Sequence, residues 1–183
     1  MARSAQNDEE KLLASLALAL IENPQANLQQ LARAIGISKA TLYRFCPTRE
    51  LLIERLMQQA VAALTHAIHH AELGGPEPRE ALGRLAANCL DNQELMLFLM
   101  YFWRPGVSIE QQMETEWLAT LDAFFLQGQQ AGVFRIDIAA AAMTELWIAM
   151  LLGLQDAERR CRIARQGLPV LLETAFLHGT IRS

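Results

Sequence analysis

Apolar residues recur along this chain at three- and four-residue intervals from one end to the other, and no strand-like alternation lasts more than a few positions. The pattern predicts an all-α protein of about nine helices. Leu12, Leu13, Leu16, Leu20 and Ile21 line one face of a first helix, opened by Asn7 with Glu10 three positions later and stopped by Asn23-Pro24. Asn27 with Gln30 repeats that opening, and Leu28, Leu31, Ala32 and Ile35 follow before Gly36 ends a two-turn helix. Ser38 can cap a third short helix through Phe45, which Cys46-Pro47 breaks. Thr48 then caps a long fourth helix to about Glu72, with Leu52, Leu56, Ala60, Leu64 and Ile68 down one side. The run Gly74-Gly75-Pro76-Glu77-Pro78 reads as a linker.

Helices are expected next near Arg79 to Leu90 and Asn92 to Trp103, followed by a break at Arg104-Pro105-Gly106. Ser108 with Gln111 opens a long helix whose stripe is Ile109, Met113, Trp117, Leu121, Phe124 and Phe125, ending at Gly132, a good residue for a left-handed cap. Asp137 is expected to cap the following helix, Ile138 to about Gly153. A last helical region, Asp156 to His178, contains Pro169, which must kink it or divide it in two.

The chemistry concentrates between Asn27 and Arg49, where two short helices are joined by the tight turn Gly36-Ile37. Such a pair is the helix-turn-helix by which a recognition helix is set against its support. The second helix is polar on one side, with Lys39, Thr41, Tyr43 and Arg44 available and Leu42 as its inward anchor. Lys39 and Arg44 can neutralise phosphates, the Tyr43 hydroxyl can donate to a phosphate oxygen, and Ala40 can touch a thymine methyl. Arg44 could alternatively fork onto guanine.

The segment NLQQLARAIGISKATLYRFCPTRELL resembles the TetR family (TetR/AcrR transcriptional regulators), whose signature runs Ala-x-Gly-Val-Ser-Lys-Gly-Thr-Leu-Tyr-x-His-Phe before a Pro-Ser-Lys-like start of helix four. The resemblance places Asn27 at the start of helix two, Ser38-Lys39-Ala40-Thr41-Leu42-Tyr43 in the recognition helix and Thr48-Arg49 at the head of helix four. It implies a DNA-binding head over residues 1–50 and a ligand-binding, dimerising body over 51–183. Its expected partners are a near-palindromic double-stranded operator, a second copy of the chain and a small apolar or amphipathic ligand, in the manner of a ligand-responsive repressor. Three features depart from the pattern: Phe45-Cys46 stands where His-Phe is usual, Leu20 where helix one usually ends in Phe, and the loop before Asn27 is shortened. Phe45 turning inward to replace the missing ring would reorient Arg44.

Charge sharpens this picture. The net charge is −4, yet residues 25–50 carry four basic side chains (Arg33, Lys39, Arg44, Arg49) against Glu50, so a basic head sits on an acidic remainder. Cys46, Cys89 and Cys161 are odd in number and form no CxxC pair, which fits a reducing cytoplasm. Met1 leads into a polar stretch rather than a secretory leader, and the longest apolar stretches are too short to span a bilayer, so a cytoplasmic, membrane-free protein is expected.

The remaining length is rich in aromatic and sulfur side chains, most of which must be core. The family resemblance implies a pocket among helices four to eight, with Tyr101, Trp117, Leu121 and Trp147 as its candidate lining. Asn88, Cys89, Asn92, Arg104 and Glu145 are candidate polar groups. Glu145 interrupts an apolar helix and fits either a rim or interface position or a pocket facing a cation. His66, His69 and His70 have spacing that can bind a metal if another ligand approaches, but an exposed face is the simpler reading, and no metal or cofactor is expected. Asp156 with Arg160 and Glu158 with Arg162 are spaced as surface ion pairs. The apolar faces of Ala139 to Ala142, Leu146, Ala149 and Met150, and of Val170, Leu171, Leu172, Ala175 and Phe176, exceed what one monomer covers, which fits a dimer through a four-helix bundle. No nucleophile with its base and no phosphate loop can be found, so an enzyme is not expected. The rival is a helical ligand-binding or scaffold protein without specific DNA binding.

Overall fold

A computed structural model describes residues 2–103 and 108–180, with side chains over 9–103 and 113–179. The described helices are α1 (Ala2–Glu22), α2 (Leu28–Ala34), α3 (Lys39–Phe45), α4 (Arg49–His70), α5 (Pro78–Asp91), α6 (Gln93–Phe102), α7 (Ser108–Gln130), α8 (Ala140–Arg159) and α9 (Leu168–Thr180). The protein is all-α, as the periodicity predicts. The Arg104-Pro105-Gly106 break and the side chains of Asn7, Ser108, Ile109 and Gln111 lie outside the described residues. No described helix is long and apolar enough to cross a membrane.

The helices form two compact units. The first comprises Met1–Ala63 and Asn92–Trp103. In it α1 packs on α6 and α2, and α2 on α3. Its core is the α1 stripe Leu13, Leu16, Ala17 and Leu20 with Leu31, Leu42, Leu52, Leu56 and Phe98, all buried. Burial of each of the Leu and Phe side chains is worth roughly 1.5–3 kcal/mol, which holds short helices that would be unstable alone.

The second unit comprises Leu64–Asp91 and Arg104–Ser183. Here α7 packs on α8, and α9 on both α5 and α8. Phe125 is its centre, with its ring 5.4 Å from that of Phe134 and 5.6 Å from that of Phe176. Leu82, Leu85, Leu121, Phe124, Met143, Trp147, Leu151 and Leu172 are buried with them.

Three boundaries differ from the periodic expectation, and at Pro169 one of two expected outcomes holds. α1 begins at Ala2, ahead of Asn7. Asp137 does not cap α8: its carboxylate pairs with Arg135, and the helix starts after Ala139 without a side-chain cap. α8 runs through Gly153 to Arg159, so that glycine is helix interior rather than terminus. Pro169 divides rather than kinks the last region, because it sits in the first turn of α9, where a missing N–H removes no helical bond.

Candidate nucleic-acid interface

Two capping devices define α2. The Asn27 side-chain oxygen accepts from the Gln30 N–H at 2.9 Å, and Gln30 Oε1 accepts from the Asn27 N–H at 2.8 Å. At the other end Ile37 N donates to Ala32 O at 2.9 Å and Gly36 N to Arg33 O at 3.2 Å, with Gly36 at φ +74°. This is a Schellman ending, and its left-handed residue is one where a side chain is disfavoured. The chain is thereby turned into α3.

α3 is opened by Ser38, whose Oγ accepts from the Thr41 N–H at 3.0 Å and lies 2.8 Å from Thr41 Oγ1. Leu42, fully buried, anchors the helix inward, while Ser38, Lys39, Ala40, Tyr43 and Arg44 are exposed and Thr41 is half-buried. The Lys39 ammonium stands 5.2 Å from the Tyr43 ring centroid, so cation and hydroxyl share one outward strip. Thr48 Oγ1 accepts from Leu51 N at 3.2 Å and opens α4. Arg49 is committed in part to the scaffold: its Nε donates to Ala26 O at 3.1 Å and its Nη2 to Pro24 O at 2.5 Å. The helix-turn-helix segment thus carries Asn27, Ser38 and Thr48 as caps, Arg49 as a tie, and Lys39, Ala40, Tyr43 and Arg44 as its outward chemistry.

The candidate ligand residues fall in different places. Leu121 and Trp147 are buried in the second unit, and Trp117, half-buried there, donates from Nε1 to Thr65 Oγ1 at 3.2 Å. Tyr101 is 47% exposed on α6 of the first unit. Asn88 donates to Ala67 O at 3.1 Å. Burial pushes the Cys89 thiol up to about 12, which leaves it a protonated, inert core group. Glu145 is exposed on α8, and Arg104 lies outside the described residues. The imidazoles of His66 and His70 stack at 3.7 Å on the exposed end of α4. Among the described residues no group of three His, Cys, Asp or Glu side chains is arranged to hold a metal.

No family model matches the sequence. The fold matches solved structures across nearly their whole length. The TetR-family regulator PfmR of Thermus thermophilus superposes with a TM-score of 0.68 at 23% identity, covering 94% of this chain and 97% of that one. The TetR-like regulator LfrR of Mycobacterium smegmatis, solved in complex with proflavine, gives 0.65 at 20% identity over 98% and 99%. In sequence the chain is 29% identical to the HTH-type transcriptional repressor LfrR over 156 residues, 80% of this chain and 77% of that protein. It is 45% identical to the HTH-type transcriptional regulator NfxB of Pseudomonas aeruginosa over 174 residues, 93% of each. The chain belongs to the TetR/AcrR family of transcriptional regulators.

In this TetR-family chain the departure at Phe45-Cys46 has a structural answer. Cys46, 3% exposed, is the residue that turns inward, and its N–H closes α3 by donating to Leu42 O at 2.7 Å. Phe45 stays half-buried, with the Arg55 guanidinium 4.0 Å from its ring centroid. Sequence reasoning missed Arg55 and its partner Glu9, since nothing local marks a contact between residues 46 positions apart.

Proposed function

We propose that the protein is a ligand-responsive transcriptional repressor that binds a near-palindromic operator as a homodimer, with residues 1–50 as the DNA-reading head and 51–183 as the sensing and dimerising body. The outward strip of α3 carries this reading. Lys39 and Arg44 supply cations for phosphates, Tyr43 a hydroxyl, and Ala40 a methyl-sized surface for a thymine, all on a helix whose orientation is fixed by caps and a buried leucine. Asn27, Ser38, Thr41, Thr48 and Arg49 flank that strip; the Asn27 and Thr41 N–H groups are engaged in caps, and the Asn27 side-chain amide, the hydroxyls and the remaining Arg49 N–H groups complete the phosphate grip.

Dimerisation is supported by α8 and α9. On α8, Ala142, Leu146, Ala149 and Gly153 are exposed at helical spacing, on the side away from Met143, Trp147 and Leu151. On α9, Val170 is 66% and Leu171 45% exposed beside exposed Thr174 and Ala175, whereas Leu172 and Phe176 turn into their own core. Two adjacent apolar faces of small and branched residues suit a four-helix bundle between copies. Glu145 and its surroundings then belong to the rim of that bundle.

Ligand response is supported by the proflavine complex of LfrR and by the buried aromatic content of the second unit. Trp117, Leu121 and Trp147 of the second unit are the residues we assign to an apolar or amphipathic ligand. A two-fold dimer reads two half-sites only when its recognition helices are spaced by about 34–36 Å or a multiple, so a ligand that prefers another spacing lowers operator affinity. Three cysteines that form no disulfide favour a reducing, cytoplasmic site of action. The test is a salt titration of binding to DNA from upstream of the protein's own coding region. A steep loss of affinity with salt and a preference over scrambled duplex are expected; equal, salt-insensitive binding to both would reject the reading.

A further inference from the structure

α3 has only seven residues, with Leu42 as its one buried side chain and Cys46 buried just past its end, so few contacts of its own fix the angle of the helix. Arg55 of α4 holds its end in three ways at once. Its guanidinium stacks on the Phe45 ring at 4.0 Å, and its Nη1 donates to Phe45 O at 3.2 Å, one of the carbonyls that the end of an α-helix leaves without a helical partner. Its positive charge also lies at the negative end of the helix dipole. Arg55 is fixed in turn by Glu9 of α1, whose Oε1 accepts from Nη2 at 2.5 Å.

We propose that Arg55 is a specificity-determining positioning residue: clamped between Glu9 and Phe45, it sets the angle at which α3 presents its outward side chains to base edges. The proposal rests on the DNA-binding reading above. Arg55 is not itself a phosphate contact, because Glu9 already neutralises its charge and its flat face is occupied by Phe45. Loss of the clamp therefore acts on the sequence-reading part of the affinity and spares the sequence-independent part, which depends on the number of phosphates neutralised.

The probes are a duplex selected by the wild-type chain from a random-sequence pool and a scrambled duplex of equal length and composition. Arg55→Ala and Phe45→Leu should each weaken binding to the selected duplex on the order of tenfold, the size of one lost base contact. Affinity for the scrambled duplex and its salt slope should stay at wild-type values. The double variant should be no worse than either single one, because both remove the same clamp. Arg55→Lys keeps the charge but cannot stack flat and fork, so it should lose preference several-fold and decides the matter if Arg55→Ala does not hold its helical circular dichroism. A wild-type preference in folded Arg55→Ala or Arg55→Lys overturns the proposal. Equal losses on both duplexes with a shallower salt slope also overturn it, since they make Arg55 a phosphate contact. If the wild type itself prefers no duplex, the DNA-binding reading fails before any variant is measured, and the proposal falls with it.

Discussion

Arg49 donates through Nε to the carbonyl oxygen of Ala26, 3.1 Å away and 23 residues earlier in the chain. With the bond from its Nη2 to Pro24 O, this ties the start of α4 to the turn between α1 and α2. Arg49→Ala should therefore destabilise the protein by about 1.5–3 kcal/mol, the usual worth of a hydrogen bond to a charged group, besides weakening DNA binding. Urea denaturation checks it. Unchanged stability would show that the tie contributes nothing and that Arg49 serves the nucleic acid alone.

Lys39 is a contrast, exposed and in contact with Tyr43 only through its charge and ring face. Lys39→Ala should leave stability nearly unchanged and reduce the slope of log affinity against log salt by about 0.9, one phosphate's worth. Tyr43→Phe should cost about 1 kcal/mol of DNA affinity for one lost hydrogen bond. Both are measured by anisotropy titrations at several salt concentrations. An unchanged slope for Lys39→Ala, or equal affinity for Tyr43→Phe, removes that side chain from the interface.

How far the fold was legible depends on where the determinants are local. The caps Asn27 with Gln30, Ser38 and Thr48, and the left-handed Gly36 and Gly132, were all written in residue types at short spacing, and each sits where the pattern placed it. The end of α8 was not. Its left-handed residue is Cys161 at φ +56°, and the same pair of bonds that ends α2 recurs there as Arg162 N to Ala157 O and Cys161 N to Glu158 O. No glycine marks it, so Gly153, an ordinary helical residue, drew the boundary instead.

The candidate interface follows the same division. The outward strip of α3 could be found because its side chains follow one another along a single helix. The clamp of Arg55 on Phe45 and Glu9 could not, because it joins three helices through one guanidinium. Phe134 escaped for a related reason: it follows the left-handed Gly132 in a non-helical connection, where helical periodicity says nothing, yet its ring is fully buried.

Phe134 also constrains Gly128 of α7. A Cβ at position 128 would run into the Phe134 ring, and that ring is hemmed in by Phe124 at 5.8 Å and Phe125 at 5.4 Å. Replacing a helical glycine by alanine ordinarily stabilises by about 0.5–1 kcal/mol, but overpacking a filled core costs about 1–3 kcal/mol, and here the second effect should win. Gly128→Ala should destabilise the wild type and become neutral or favourable in a Phe134→Ala background. Denaturant midpoints for the four proteins of that cycle decide it, and stabilisation by Gly128→Ala alone would contradict the packing.

Asp156 provides a pH-dependent signature. Arg159 donates to its Oδ1 at 2.8 and 3.1 Å and Arg160 to its Oδ2 at 2.8 Å, and these bonds, with the Arg159 and Arg160 charges, hold its carboxyl below the ordinary carboxylate value despite partial desolvation. A carboxyl whose value is lowered by folding stabilises the native state above its unfolded value of about 3.9 and loses that contribution as pH falls through the folded value. The advantage of wild type over Asp156→Asn in thermal melts should therefore be full at pH 7 and shrink below about pH 3.9. A constant difference from neutral to strongly acid solution would show that the ion pairs carry no pH-linked stability.

If two copies of this chain read DNA together through their α3 helices, an intact operator must bind far better than half of one. The most direct measurement compares, by fluorescence anisotropy at fixed salt, the affinity of the full-length protein for an intact selected operator and for a duplex holding one half-site beside scrambled sequence. Much tighter binding to the intact operator is expected, with two chains bound per duplex. Equal affinity for the two duplexes, with one chain bound to each, would contradict reading by two copies.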